Sequence, residues 1–409
     1  MTNEVKNVPQ LRFPNFDGEW EEKQLGDVTK SNQGLQIAIS DRKTKYEKGL
    51  YFYITNEFLR PNSQTKYYIE NPPESVLAEK SDILMTRTGN TGKVITNVEG
   101  AFHNNFFKIK YNKSIIDRLF LFELLKSPKI NNKFLSLAGT STIPDLNHSD
   151  FYSVYISFPT ISEQQKISTF FSKLDRQIEL EEQKLAKLEE QKKGYMQKIF
   201  SQELRFKDDN GNEYPEWQFK NLGELGDTFT GLSGKTKDDF GYGDGLFITY
   251  MNVFKNTIAK SDIVERVKIG SNENQNRVQY GDILFTTSSE VPNEVGMSSI
   301  WLFNQDNVYL NSFCFGFRVF VNYIKPVYLA RYLRSEEMRK TINILAQGST
   351  RFNISKKEMM KLNIKVPYIE EQIKIDNFFN KIDILILKQG KKIEILKHRK
   401  KGLLQKMFV

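Results

Sequence analysis

The stretch that most constrains this chain runs over residues 159–200, PTISEQQKISTFFSKLDRQIELEEQKLAKLEEQKKGYMQKIF. Pro159 opens it, and Ser162 stands three residues before Gln165, the spacing of a capping box at a helix start. Apolar residues then recur in alternating steps of four and three: Ile167, Phe171, Leu174, Ile178, Leu185, Leu188, Tyr195 and Ile199, with polar breaks at Glu181 and Lys192. A seam of period 3.5 between charged faces predicts a coiled-coil helix. A lone long helix is marginal in water, so the seam requires a partner.

That partner lies in the same chain. The ladder reappears 208 residues further on as Ile375, Phe379, Ile382, Ile386, Ile393, Leu396, Leu403 and Met407, and its two breaks reappear as Gln389 and Lys400. The ends match as well: PTISEQQKI (159–167) against PYIEEQIKI (367–375), and KKGYMQKIF (192–200) against KKGLLQKMF (400–408). Chance does not copy a seam together with its interruptions, so the chain is an internal duplication.

Each repeat places a globular segment before its helix. Leu11-Arg12-Phe13, Trp20 and Leu25-Gly26-Asp27 return as Leu204-Arg205-Phe206, Trp217 and Leu222-Gly223-Glu224, and the two tryptophans are expected core anchors. The copies diverge at about 30–80 and 230–280, then rejoin in islands. SDILMTRTG (81–89) matches GDILFTTSS (281–289), and AFHNNFFKIK (101–110) resembles YLNSFCFGFRV (309–319); these predict buried strands, with Cys314 a small buried hydrophobe. Helices follow at 118–127 and 326–335, then small-residue loops at 137–147 and 345–355, then a strand at 154–159 or 362–367 feeding the long helix. The expected fold class is α+β, mixed α/β globules divided by long helices that pair antiparallel under a pseudo-twofold. The expected division is 1–158, 159–200, 201–366 and 367–409. A helix from Glu163 to Phe200 would span about 57 Å, a ruler with a globule at either end. Full overlap about the pseudo-twofold brings Glu181 to Gln389, whereas a shifted register brings it to Lys400.

A formal charge of +9 and a pI near 9.1 favour an acidic partner, nucleic acid before an anionic membrane surface. One cysteine excludes an intramolecular disulfide, and neither a signal core nor a long apolar run is present, which predicts a soluble cytoplasmic protein. Catalytic fragments fail on inspection. Asn71-Pro72-Pro73 is followed by Glu74 instead of an aromatic residue; Gly241, Gly243 and Gly245 follow charged residues instead of a buried strand and predict a turn. Gly234-Lys235-Thr236 lacks the glycine that a phosphate loop needs at position 229, which is Phe229. Pro144-Asp145 has no Glu-x-Lys nearby to complete a nuclease core, and His103, His148 and His398 are too scattered for a zinc site. No metal is expected.

The order globule, helix, globule, helix, with PxIxEQxKI opening and KKGxxQKxF closing each helix, resembles the specificity subunit of type I restriction–modification enzymes over roughly residues 11–409. The resemblance implies a non-catalytic subunit with two target-recognition domains, each reading one half of a bipartite site on double-stranded DNA. It implies that the coiled coil sets the gap and docks two modification subunits, with motor-nuclease subunits joining for restriction. No cofactor is then bound by this chain: S-adenosylmethionine enters with the adenine-methylating partners, and ATP and Mg2+ with restriction. Ser81 for Gly281, and Arg87-Thr88 for Thr287-Ser288, leave the DNA contacts of each copy open.

Contact residues are therefore sought from chemistry. Lys43, Lys45, Arg60 and Lys66, and Lys235, Lys237, Lys255 and Arg277, are candidates in the divergent stretches. Arg87 and Lys93 flank permissive glycines that suit a groove or a solvated hairpin. Thr140, Ser141 and Thr142, with Ser349, Thr350 and Arg351, place hydroxyls and amides on equivalent turns, which suit phosphate oxygens or a helix cap. Asn104, Asn105 and Asn311 carry carboxamides that match adenine edges. Two other classes stay open. A methyltransferase with degenerate motifs would bind S-adenosylmethionine alone, and a protein scaffold would lack salt-dependent DNA binding.

Overall fold

Both long helices form, as Ile161–Phe200 and Ile369–Met407, in the computed structural model, which describes residues 7–60, 63–139, 143–348 and 350–409. Because the first helix begins at Ile161, Ser162 sits within the first turn instead of capping it. The chain divides into two units: one takes the residues up to Gln183 together with Gly390–Val409, the other Lys184–Gln389. Each unit thus contains one end of each helix.

In the first unit the helix segments run antiparallel, since contacts that ascend one helix descend the other. Asp175 meets Lys400 at 2.6 Å, Glu182 meets Lys397 at 2.6 Å, and Glu181 pairs with Lys392. Phe171 stacks on Phe408, ring centroids 5.9 Å apart. The second unit repeats this internally: Lys192 meets Asp383 at 2.6 Å and Phe200 stacks on Phe379 at 6.0 Å. Each of these contacts is its counterpart moved by the 208-residue repeat. Ile167, Phe171, Leu174, Ile178, Ile375, Phe379, Ile393 and Leu396 are buried, while Leu185, Leu188, Ile382 and Ile386 are half-buried. A fully buried phenylalanine contributes about 1.5–3 kcal/mol relative to exposure. The shifted register that would join Glu181 to Lys400 is not adopted, because each has another partner.

The first globule carries an antiparallel sheet ordered Thr29–Gln33, Phe106–Tyr111, Ile83–Thr86, Val94–Ile95. A second sheet runs Tyr67–Ile69, Tyr51–Ile54, Gly100–Phe102, Leu77–Ala78, its central pair parallel. Helices Arg118–Lys126, Pro128–Leu137 and His148–Ser153 cover one side of the core around Phe107, Phe120, Phe134 and Phe151. The second globule keeps the order in Gly226–Thr230, Cys314–Val319, Ile283–Thr286, Ser298–Ile300, and keeps the parallel pair in Phe240–Ile248 with Val308–Leu310. Gly241 and Gly243, with φ of 91° and 96°, sit inside that strand where its register slips between Phe240 and Gly245. The glycines thus form a bulge within a strand, not the expected turn. Trp20, Trp217 and Cys314 are core residues, and burial pushes the Cys314 thiol above its ordinary range.

The EQ dipeptide of each helix start explains why the globule cannot swing freely on it. Gln164 is fully buried; its amide donates to the carbonyls of Ile115 (2.9 Å) and Pro159 (2.8 Å), and its Oε1 accepts from the Asp117 N–H (2.8 Å). Gln372 makes the same three bonds with Tyr323, Pro367 and Lys325. Glu163 pairs with Arg12 at 2.7 Å and Glu371 with Arg205 at 2.8 Å, so the globule's first residues are tied to the helix as well. Buried polar groups satisfied on several sides fix an orientation that apolar packing alone would leave loose.

Candidate nucleic-acid interface

In both globules a loop leaves a central strand after a buried threonine. The Thr86 N–H donates to the Lys93 carbonyl at 2.9 Å and the Thr286 N–H to that of Met297 at 3.0 Å. The same threonine hydroxyls accept the N–H of Lys93 (2.9 Å) and of Met297 (3.0 Å). The next residue, Arg87 or Thr287, donates to the carbonyl of Asn105 (2.7 Å) or Phe313 (2.9 Å) and accepts from Leu146 or Ile354, both at 3.0 Å. The loop returns at Gly92 or Gly296, whose φ of 82° or 64° favours glycine. Residues 87–91 and 287–295 are therefore loops of different length on one hydrogen-bond frame.

A strand end arrives beside each loop: Tyr53-Ile54-Thr55-Asn56 in one globule, Phe247-Ile248-Thr249-Tyr250 in the other. Asn56 Nδ2 donates to the Thr88 carbonyl and the Tyr250 hydroxyl to the Ser288 carbonyl, each at 2.7 Å. Gly34 and Gly231 complete the frame, because a Cβ on either would stand 2.1 Å from a carbonyl oxygen, of Phe102 or Asn311. The four-residue strand ends and the Gly-Leu pairs lie inside the stretches that diverge in sequence, and only the shared hydrogen-bond frame sets them in correspondence. They fall outside the constant 208-residue offset, because the intervening loops differ in length.

The candidate contact residues fall into four groups. Lys43, Lys45, Arg60, Lys66, Lys237, Lys255, Arg277, Thr350 and Arg351 are exposed. Others are engaged within the fold. Arg87 pairs with Asp145 at 2.6 Å, the Lys93 ammonium donates to the Leu59 carbonyl, Asn104 donates to Gln36, and Asn311 Oδ1 accepts the Phe313 N–H. Lys235 is spent on Glu273 and the Lys268 carbonyl; with the Gly270 N–H and Gln275 it pulls the Glu273 carboxyl down to about 2. Asn105 is half-buried at the edge of the first loop. Thr140, Ser141, Thr142 and Ser349 lie outside the described residues.

Beneath the first loop, Arg60, Asn90, Lys93, Lys126 and Asn131 line a cavity of about 690 Å³. Burial, reinforced by nearby Lys400, holds the Lys126 ammonium below the usual lysine range. In the second globule the positions of Lys126 and Asn131 are Arg334 and Arg339, whose guanidinium groups donate to the carbonyls of Val253, Ser298, Val295 and Gly296. Burial brings each of these arginines down to about 10. A carboxamide and a lysine thus leave open, beside one loop, the space where two arginines stitch the other loop down. Among the described residues no group of three or more His, Cys, Asp or Glu side chains is placed to hold a metal ion, and no helix is long and apolar enough to cross a membrane.

The family model for the type I restriction modification DNA specificity domain matches the chain twice, over residues 17–190 and 214–397. The chain is 25% identical to the type I restriction enzyme MjaVIII specificity subunit of Methanocaldococcus jannaschii, over 97% of this chain and 93% of that protein. Among solved structures it is similar in fold to the S subunit of a type I restriction–modification system from M. genitalium, with a TM-score of 0.55 at 16% identity over 98% and 99% of the two chains. A chain from a structure concerned with complex assembly and conformational transition of the type I R-M system gives a TM-score of 0.58 at 19% identity, over 95% and 97%.

Proposed function

The chain belongs to the type I restriction–modification DNA specificity family, and on that premise we propose that it is the non-catalytic subunit that selects the DNA sequence for such a complex. Residues 1–158 and 201–366 act as the two target-recognition domains, each reading one half of a bipartite site. The helices at 159–200 and 367–409 set the unspecified gap and dock two modification subunits. Those partners bring S-adenosylmethionine and methylate adenine; motor-nuclease subunits with ATP and Mg2+ complete a restricting complex in the cytoplasm.

One observation carries this reading: a single hydrogen-bond frame, present twice, holds loops of different length and chemistry. Conserved scaffolding with exchanged side chains is what two half-sites of different sequence require, while the repeated helices present like surfaces to like partners. The test is to express the chain with its modification subunit and map methylated sites across the host genome. A bipartite adenine-methylated motif is expected. Replacing residues 11–158 by the first globule of another family member should change one half of it only. A change in both halves, or no bipartite motif, would overturn the reading.

A further inference from the structure

The frame shared by the globules marks a position in each where everything structural is kept and everything chemical is exchanged. Thr86, Gly92 and Leu146 persist as Thr286, Gly296 and Ile354, holding the same bonds. Around them Asn56 becomes Tyr250, Asn105 becomes Phe313, Ile143 becomes Arg351, and Asn90 stands where the longer loop places Glu290. Core positions do not vary in this manner, since replacing a carboxamide by an aromatic ring in a packed interior costs volume and hydrogen bonds alike.

In the second globule these residues line a cavity of about 410 Å³, with Tyr250, Glu290, Phe313 and Arg351 on its walls. The Arg351 guanidinium lies 5.5 Å from the centre of the exposed Phe313 ring. It has no ion pair among the described residues, so its planar fork is oriented by the ring yet free to donate. In the first globule the equivalent rim presents Asn90 and Asn105, and Asn56 Oδ1 is buried there without a hydrogen-bond partner. A phosphate contact would call for a cation or donor in both copies, because the backbone is the same everywhere. Ile143 in place of Arg351 argues against that role and for readout of a base.

We propose that the globules read base edges at these equivalent positions: the second through the Arg351 fork, at its cavity, on a guanine, the first through the carboxamides of Asn90 and Asn105 on an adenine. The chemistry is that of bidentate major-groove recognition, in which arginine matches guanine O6 and N7 and asparagine matches adenine N6 and N7. This rests on the DNA-reading function proposed above.

The experiment uses the full complex with its modification subunit and compares wild type with Arg351→Gln, Arg351→Lys and Asn105→Ala by methylome mapping and by binding to duplexes changed at one base pair. Both Arg351 variants should relax one G·C position of a single half-site, cutting discrimination there about 5- to 150-fold. Lysine fails with glutamine because it keeps the charge but not the fork. Asn105→Ala should relax an A·T position of the other half-site. Persistence of the untouched half-site and the gap shows that each variant is folded and assembled. Unchanged stringency in the Arg351 variants overturns the proposal. So does a loss equal for all sequences with a shallower salt dependence, since that marks a phosphate contact. A wild-type complex that methylates no bipartite site would instead overturn the DNA-reading function beneath it.

Discussion

Lys192 and Lys400 occupy the same place in the two repeats, yet their removal is expected to have unequal effects. In the first unit the globule contributes a carboxylate to the helix pair: Lys400 Nζ lies 2.6 Å from Asp175 and 3.1 Å from Glu123, whose side chain is only 4% exposed. Burial works against the Lys400 charge, but Glu123 and Asp175 together hold its pKa above the usual lysine range. In the second unit the residue equivalent to Glu123 is Arg331, so the sign is reversed. Arg331 holds Asp383 at 2.7 Å and Asp376 at 2.9 Å, and Lys192, 24% exposed, is a second cation on Asp383. Lys400→Met leaves a buried Glu123 with Lys126 alone, at 3.1 Å. Breaking a buried pair costs about 3–5 kcal/mol. Asp175 is 43% exposed and recovers its hydration, which lowers the expected cost to about 2–3 kcal/mol. Lys192→Met leaves Asp383 still paired and should cost no more than about 1 kcal/mol. The assay is hydrogen exchange on the intact chain, following amides near Phe120–Leu124 for the first unit and Leu329–Leu333 for the second, because a two-unit chain need not unfold in one step. Protection in the first unit should fall about 30- to 150-fold with Lys400→Met, and Glu123→Gln added to it should restore most of that loss. Equal costs for the two lysines, or no restoration, would refute the reasoning.

Three further outcomes are expected. Gln164→Ala strands the Asp117 N–H and two carbonyls in the interior, and should lower stability by about 2–3 kcal/mol in denaturant titration while the equivalent exposed change Gln165→Ala stays within about 0.5 kcal/mol. Burial, with help from Arg42, lowers the His103 pKa from 6.5 to about 4. Its stabilising contribution is therefore complete above the unfolded value and lost as pH falls from about 6.5 toward 4, so His103→Gln should flatten the melting-temperature profile across that window. Inserting one heptad after Leu188 and one after Leu396 keeps the seam in phase and adds about 10.5 Å to each helix. The methylated motif should then keep its half-sites with a gap longer by about three base pairs, at reduced efficiency because that spacing rotates the duplex by about a third of a turn; an active variant that retains the original gap would count against a ruler.

Much of the architecture was written locally. A 3.5-residue seam is a relation between neighbours on one helix, so its period, its duplication and the antiparallel closure it demanded were visible without coordinates. The buried strands Ile83–Thr86 and Ile283–Thr286 were legible for the same reason, as short apolar runs after a turn. What the sequence could not disclose were relations across long separations with unequal loops between them. Asn56 belongs with Tyr250 and Gly34 with Gly231, at offsets of 194 and 197 residues instead of 208. Only the shared hydrogen-bond frame brings them into correspondence. The same limit applies to charge. Lys235 resembles any free cation until Glu273 is found beside it, and the glutamate of EQ in each helix resembles a surface residue until Arg12 or Arg205 closes on it. Glu123 and Arg331 show the division most sharply: their difference is plain in the sequence, but that each satisfies the opposite member of one Asp–Lys pair depends on three segments meeting in space. Periodicity is set by the geometry of a single helix, whereas the partner of a buried charge is set by whichever distant segment packing brings within a few ångströms.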